Sequence, residues 1–215
     1  MLDSILERID KITSKQIEIL TVTKNRTVSD IIPLLDKGIT MIGENRVQEA
    51  CVKFGALGDR IVEKHLIGSL QSNKENKALK LFDVIQSIES LDQLTSVINK
   101  ITLQGLTKKV FFQYNTSLED SKHGIRSEKE LCCMVELLLQ NPNICFEGLM
   151  TIGALSADEH IVRKSFVDLV SLRDCMILKY PELISLKLSM GMSNDFEWAI
   201  QEGTDMIRLG SVLFQ

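Results

Sequence analysis

The sequence predicts an α/β fold of the (β/α)8 barrel class. Three observations lead there. Eight short β-rich apolar runs recur along the chain, and amphipathic stretches of helical period separate them. No linker, low-complexity tract or repeat interrupts the series. Strands that alternate with helices pair in parallel, and eight such units are what closes a barrel. A doubly wound open sheet is the main rival. The 215 residues lie near the small end for such a barrel, so residues 1–215 are expected to form a single domain.

The elements follow in order. Leu2, Ile5, Leu6, Ile9 and Ile12 fall at helical spacing, which places an extra helix before the first strand. Ile17–Val22 reads as strand one and Val28–Asp36 as the helix after it. Ile39–Ile42 is strand two, followed by a helix around Val47–Phe54. Ile61–Ile67 and Asp83–Ser87 are strands three and four, and Leu91–Leu103 is a helix stopped by Gly105. Lys109–Tyr114 is strand five, before a helix at Glu128–Leu139. Ile144–Met150 is strand six, before a long helix at Asp158–Lys179. Ser185–Ser189 and Asp205–Leu209 complete the set. Six residues follow Leu209, too few for an eighth outer helix, so the N-terminal helix is expected to cover that gap.

Composition narrows the function. Hydrophobic residues make up 44% and charged residues 25%, with mean hydropathy +0.07, which is the balance of a packed globule. Lys+Arg number 25 against Asp+Glu 29, and the basic residues are scattered, so no nucleic-acid partner is expected. No run of eighteen apolar residues exists, and the N-terminus lacks a signal-peptide pattern. A cytoplasmic monomer with no membrane contact is expected. The five cysteines, Cys51, Cys132, Cys133, Cys145 and Cys175, contain no Cys-x-x-Cys pair and read as free, mostly buried thiols. His65, His123 and His160 lack metal-ligand spacing, so no metal is expected.

Barrel sites are built at the C-terminal ends of the strands. Those ends carry Lys24, Gly43-Glu44-Asn45, Gly68 to Asn73, Ser87, Asn115, Met150-Thr151, Ser189 and Arg208 to Ser211. A lysine after an apolar strand is usually solvated. An amine desolvated in a barrel mouth, near other cations, can instead form a Schiff base with an aldehyde. Ser193 is a plausible helix N-cap, and Asn194 with Glu197 resembles a weak capping box. Free amides there, and at Gly210-Ser211, would suit a phosphate. Glu44 and Glu49 fit an acid or base role less well than a dipole-complementing one. Lys74, Lys77 and Lys80 read as a solvated face.

The stretches Ile42-Gly43-Glu44-Asn45-Arg46-Val47-Gln48-Glu49, His65 to Lys74 and Leu188-Ser189-Met190-Gly191-Met192-Ser193-Asn194-Asp195-Phe196-Glu197 resemble the YggS/PROSC family, the pyridoxal phosphate homeostasis proteins. Asn115-Thr116-Ser117, Ser121-Lys122-His123-Gly124, Gly148 to Ile152 and Arg208-Leu209-Gly210 continue the likeness over nearly the whole chain. Gln215 stands where that family usually has glycine. The resemblance implies an alanine-racemase-type barrel that binds pyridoxal 5'-phosphate (PLP) as a covalent aldimine on Lys24. It implies Arg208 at the pyridine nitrogen, and Ser193, Gly210 and Ser211 at the phosphate. Asn45, Ile67, Met150 and Ser189 would line the cofactor. The implied function is vitamin B6 homeostasis without efficient turnover, with PLP-dependent apo-enzymes as candidate partners. No catalytic residue is assigned. A PLP-dependent amino-acid racemase is the alternative, and a cofactor-free Schiff-base aldolase a third reading. A second tyrosine base, as in alanine racemases, is not expected, because Tyr114 and Tyr180 are the only tyrosines and Tyr180 reads as structural.

Overall fold

Strands buried on both faces mark a parallel sheet covered by helices, and β4 (Val84–Ile88) is buried at every position. The computed structural model describes residues 1–61 and 63–215. Its other strands are β1 (Glu18–Val22), β2 (Met41–Glu44), β3 (Glu63–Leu66), β5 (Lys108–Gln113), β6 (Ile144–Met150), β7 (Lys187–Met192) and β8 (Met206–Leu209). All pair in parallel and in chain order, and β8 returns to β1 to close the barrel. The closing register sets Leu20 beside Arg208 and Thr21 beside Leu209. The barrel expectation holds and the open-sheet rival does not.

The helices are α1 (Leu2–Ile12), α2 (Val28–Asp36), α3 (Val47–Leu57), α4 (Glu75–Leu81), α5 (Leu91–Gln104), α6 (Glu128–Leu139), α7 (Glu159–Lys179) and α8 (Phe196–Gln201). Local chemistry explains their limits. Thr27 and Asp30 form a reciprocal capping box at the start of α2, and Ser90, Ser127 and Asp158 cap α5, α6 and α7. Gly105 ends α5 at φ +61°, a left-handed conformation that glycine adopts without strain. After β8 there is only a short 3-10 turn, Ser211–Leu213. Leu2, Ile5 and Ile9 of α1 pack with Ile19, Leu34, Phe196, Ile200 and Ile207, so the N-terminal helix does close the gap between α8 and α2.

Some boundaries shift. Strand seven, expected at 185–189, runs from Lys187 to Met192, because Met192 still pairs with Arg208 across a register irregularity. The expected third strand included Val62, which lies outside the described residues. The thiols are the clearest miss: Cys51, Cys133, Cys145 and Cys175 are exposed and Cys132 is half-buried. Cys51, Cys133 and Cys175 sit on outer helix faces, which the apolar count alone did not distinguish from inner ones.

Candidate functional site

The C-terminal ends of the strands surround a cavity of about 660 Å³. Lys24, Asn45, Ile67, Met150, Ser193, Arg208, Gly210 and Ser211, eight of the nine cofactor residues expected from sequence, line it. Lys24 follows β1 and its side chain is exposed at the mouth rather than desolvated. Its backbone is held from below. Lys53 Nζ donates to Thr23 O and to Glu44 Oε1, both at 2.6 Å, while Thr23 Oγ1 donates to the same carboxylate oxygen at 2.5 Å. Next to Lys24, Asn25 has φ +59° and donates its amide to Glu49 Oε2 at 3.4 Å. Glu44, expected from sequence to complement a helix dipole, is fully buried and paired with Lys53.

Arg208 forms the floor. It is 4% exposed, and burial lowers its pKa to about 10, with Asp195 opposing that shift. Its guanidinium stays charged at neutral pH. No carboxylate pairs with it directly among the described residues. Instead Nη1 donates to Ser189 O at 2.7 Å and Ser189 Oγ at 3.0 Å, and Nη2 donates to Thr151 O at 2.7 Å. Ser189 therefore does not line the cavity as expected. It is wholly buried behind Arg208, because its position in β7 faces the barrel interior beneath the floor.

The third group is a corner of hydroxyl and amides. Ser193 Oγ accepts from the Gly210 amide at 3.3 Å, drawing the loop after β7 against the loop after β8. Ser193 is not an N-cap. Asp195 occupies that position, accepting the Met192 amide at 2.5 Å, and Glu197 pairs with Arg8 of α1 instead of closing a capping box. The expected helix start thus proves to be a tight loop that aims Ser193 at its neighbour. Burial raises the Asp195 pKa, opposed mainly by that same amide.

Neighbouring residues shape the walls. Gly68 lies so close to Asn45 that a Cβ would stand 2.3 Å from its carbonyl oxygen, so only glycine fits. Asn45 Oδ1 is buried with no hydrogen-bond partner among the described residues, an unusual state for an amide oxygen at a cavity wall. Asn115 donates to Glu119 O and Lys122 O, each at 3.0 Å, and so ties down the loop that brings Lys122 to the cavity. Lys122 Nζ is spent on Glu119 Oε1 and Gly153 O, both at 2.7 Å. Sequence reasoning did not foresee Asp195, Trp198 or the Ile152 to Ala157 wall. Their only signal was nearness to strands six and seven. Neither tyrosine lines the cavity. Tyr180 donates to Glu136 Oε1 at 2.9 Å on the helical shell, where burial pushes its phenol up to about 12. Among the described residues no cluster could hold a metal ion, and no helix is long and apolar enough to cross a membrane.

The family model described as alanine racemase, N-terminal domain, matches residues 2–215. The pyridoxal phosphate homeostasis protein of Vibrio alginolyticus is 33% identical over 210 residues, covering 94% of this chain and 87% of its own. The solved structure of PipY from Synechococcus elongatus PCC7942 with PLP bound aligns at TM-score 0.86 and 30% identity, covering 98% of this chain and 100% of that one. Alanine racemase from Clostridium difficile 630 aligns at TM-score 0.80 over 99% of this chain and 59% of its own. At 14% identity that likeness is one of fold alone.

Proposed function

Because the chain belongs to the pyridoxal phosphate homeostasis proteins, within the alanine racemase N-terminal domain family, we propose that it binds PLP at the C-terminal mouth of its barrel and holds it for vitamin B6 homeostasis. One observation carries the reading. A single cavity joins an exposed amine, a buried guanidinium without a carboxylate partner, and a corner of hydroxyl and amide groups. Those three suit the three functions of PLP: an aldehyde, a ring nitrogen that accepts, and a phosphate dianion. The orphan Asn45 Oδ1 adds a polar atom that lacks a protein partner.

In this reading Lys24 would hold the aldehyde as a Schiff base, its amine condensing with the carbonyl and water leaving, and its clamped backbone would limit where the amine can reach. Ser193, Gly210 and Ser211 receive the phosphate through charge-assisted hydrogen bonds. Arg208 keeps the ring nitrogen unprotonated, since a guanidinium donates and does not accept. Ile67 and Met150 cover the ring, and Asn45 contributes its amide. When bound, PLP supplies an electrophilic carbonyl and an electron-withdrawing ring. An unprotonated ring is the weaker electron sink, and no tyrosine stands in the cavity as a second base. Storage without efficient turnover follows. PLP-dependent apo-enzymes in the cytoplasm are the recipients in this scheme, and five unpaired cysteines suit a reducing compartment.

The test is the visible absorbance of purified protein mixed with PLP. Lys24→Ala should abolish the band and the borohydride-reducible adduct, leaving weak noncovalent binding. A full band would move the linkage to another lysine, Lys122 first. Racemisation of amino acids at about one per second or faster, lost in Lys24→Ala, would establish the enzymatic reading instead.

A further inference from the structure

Beneath Arg208 runs a row of buried polar groups that the binding of PLP does not by itself require. Ser189 Oγ donates to Gln86 Oε1 at 2.8 Å. Gln86 Nε2 lies 2.8 Å from His65 Nδ1, and His65 Nε2 lies 2.8 Å from Glu63 Oε2. Glu63 Oε1 then accepts from Lys109 Nζ at 2.9 Å. Ser189, Gln86 and His65 are each at most 1% exposed. They are the third residues of β7, β4 and β3, and Arg208 is the third of β8. Since β4 and β7 are not neighbours in the sheet, the Gln86–Ser189 bond crosses the barrel interior.

The direction of every bond follows from the two ends. Arg208 has donors only, so Ser189 Oγ must accept from it and send its single proton to Gln86 Oε1. That fixes the Gln86 amide with its NH2 toward His65, whose Nδ1 must then accept. The imidazole proton is left on Nε2, facing Glu63. That end is consistent with the arrangement, since the Lys109 ammonium pairs with the Glu63 carboxylate. Hydrogen bonding to His65, and then to Lys109, brings the Glu63 pKa down to about 2, so an acceptor-only anion receives the last proton. A donor-only cation and an acceptor-only anion thus polarise three neutral groups in one sense. Reversing any one of them would leave two donors or two acceptors face to face in a dry interior.

We propose that Ser189, Gln86 and His65 are positioning residues which, from Glu63 at the opposite end of the barrel, fix the guanidinium plane of Arg208 toward the ring nitrogen of bound PLP. The inference rests on the PLP reading above. Arg208 has no carboxylate partner to orient it, so its aim depends on neutral oxygens, and one of these, Ser189 Oγ, is itself held by the chain.

The experiment loads the protein with PLP carrying 15N in its ring and records that resonance together with the affinity for PLP. His65→Leu keeps the bulk but removes both polar atoms, and His65 does not touch the cavity. It should move the resonance and weaken PLP about three- to tenfold, the value of roughly one lost hydrogen bond. His65→Gln can accept from Gln86 and donate to Glu63, so it should restore both toward wild type. A folded His65→Leu with resonance and affinity unchanged overturns the proposal, as does His65→Gln moving them equally far. Should His65→Leu fail to fold, Ser189→Ala breaks the row at its other end and must move the resonance. An unmoved resonance there overturns the proposal too. The apoprotein supplies an arm free of PLP: its His65 ring nitrogens should report a neutral Nε2–H form, and an Nδ1–H form overturns the row whatever the cofactor. Wild-type protein that takes up no PLP fails the functional reading instead.

Discussion

The two ends of the barrel handle charge in opposite ways. At the N-terminal end of the strands, Lys187 stands 2.7 Å from Glu18 and 3.8 Å from Glu147, and Lys109 stands 2.9 Å from Glu63 and 3.9 Å from Glu147. Each of these two cations touches two carboxylates. At the C-terminal end, Arg208 has neutral oxygens for partners and Lys24 has no hydrogen-bond partner among the described residues. At the first end these two lysines are satisfied by the chain itself. The second leaves positive charge for an anion to complete, at the face where barrels of this class carry their chemistry. Unpaired charge is therefore the better guide to function here, and paired charge the better guide to stability.

The Glu44–Lys53 pair is the hardest case for that division, because it lies at the functional end yet is paired and buried. Lys53→Met would strand the Glu44 carboxylate in the wall. A loss of about 3–5 kcal/mol is expected, read from urea unfolding of the apoprotein. A change under about 1 kcal/mol would mean that water reaches Glu44, and the division would fail at this point. Ser193→Ala probes the unpaired side. Affinity for PLP should fall by about 1.5–3 kcal/mol, while affinity for pyridoxal, which lacks the dianion, should hardly change. Equal losses by titration would remove Ser193 from the phosphate corner.

The smallest effect concerns Glu63. Its folded pKa lies at about 2, below the usual 4.5, so its contribution is complete above about pH 4.5 and is lost as pH falls toward 2. Glu63→Gln should remove about 1–2 kcal/mol of that acid-sensitive stability and flatten the urea midpoint between pH 4.5 and 2. An unchanged acid limb would show that the paired end is held by packing rather than by charge.

Period and punctuation made most of the architecture legible in advance. β6, α2 and α6 were readable to the residue, since apolar runs and helical spacing stop there at clear breakers. The part of the cavity lining that comes from strand ends was readable as well, because parallel strands bring their C-terminal ends together whatever the intervening loops do. What escaped was everything set by contacts between distant elements. Ser193 looked like a cap because its neighbours spell one, but a bond to Gly210 decides its place. Glu44 sits nine positions before Lys53, a spacing with no local meaning until β2 and α3 pack. The row from Arg208 to Glu63 joins four strands through residues that each look unremarkable alone. Exposed cysteines were missed because thiols pass for core residues in composition.

The closing of β8 against β1 also has a consequence for how the protein is made. Lys24 is synthesised some way ahead of Arg208, Gly210 and Ser211, which it meets only through the β1–β8 pairing. Until Glu18–Thr21 finds Met206–Leu209, Lys24 and the loop after β8 do not face one cavity. Such late, long-range pairing slows folding, and it exposes the unpaired edges of β1 meanwhile. In the reading proposed above, ligand capture then becomes a report on completion: a nascent or truncated chain presents Lys24 alone, and only the closed barrel sets it beside Arg208 and Gly210.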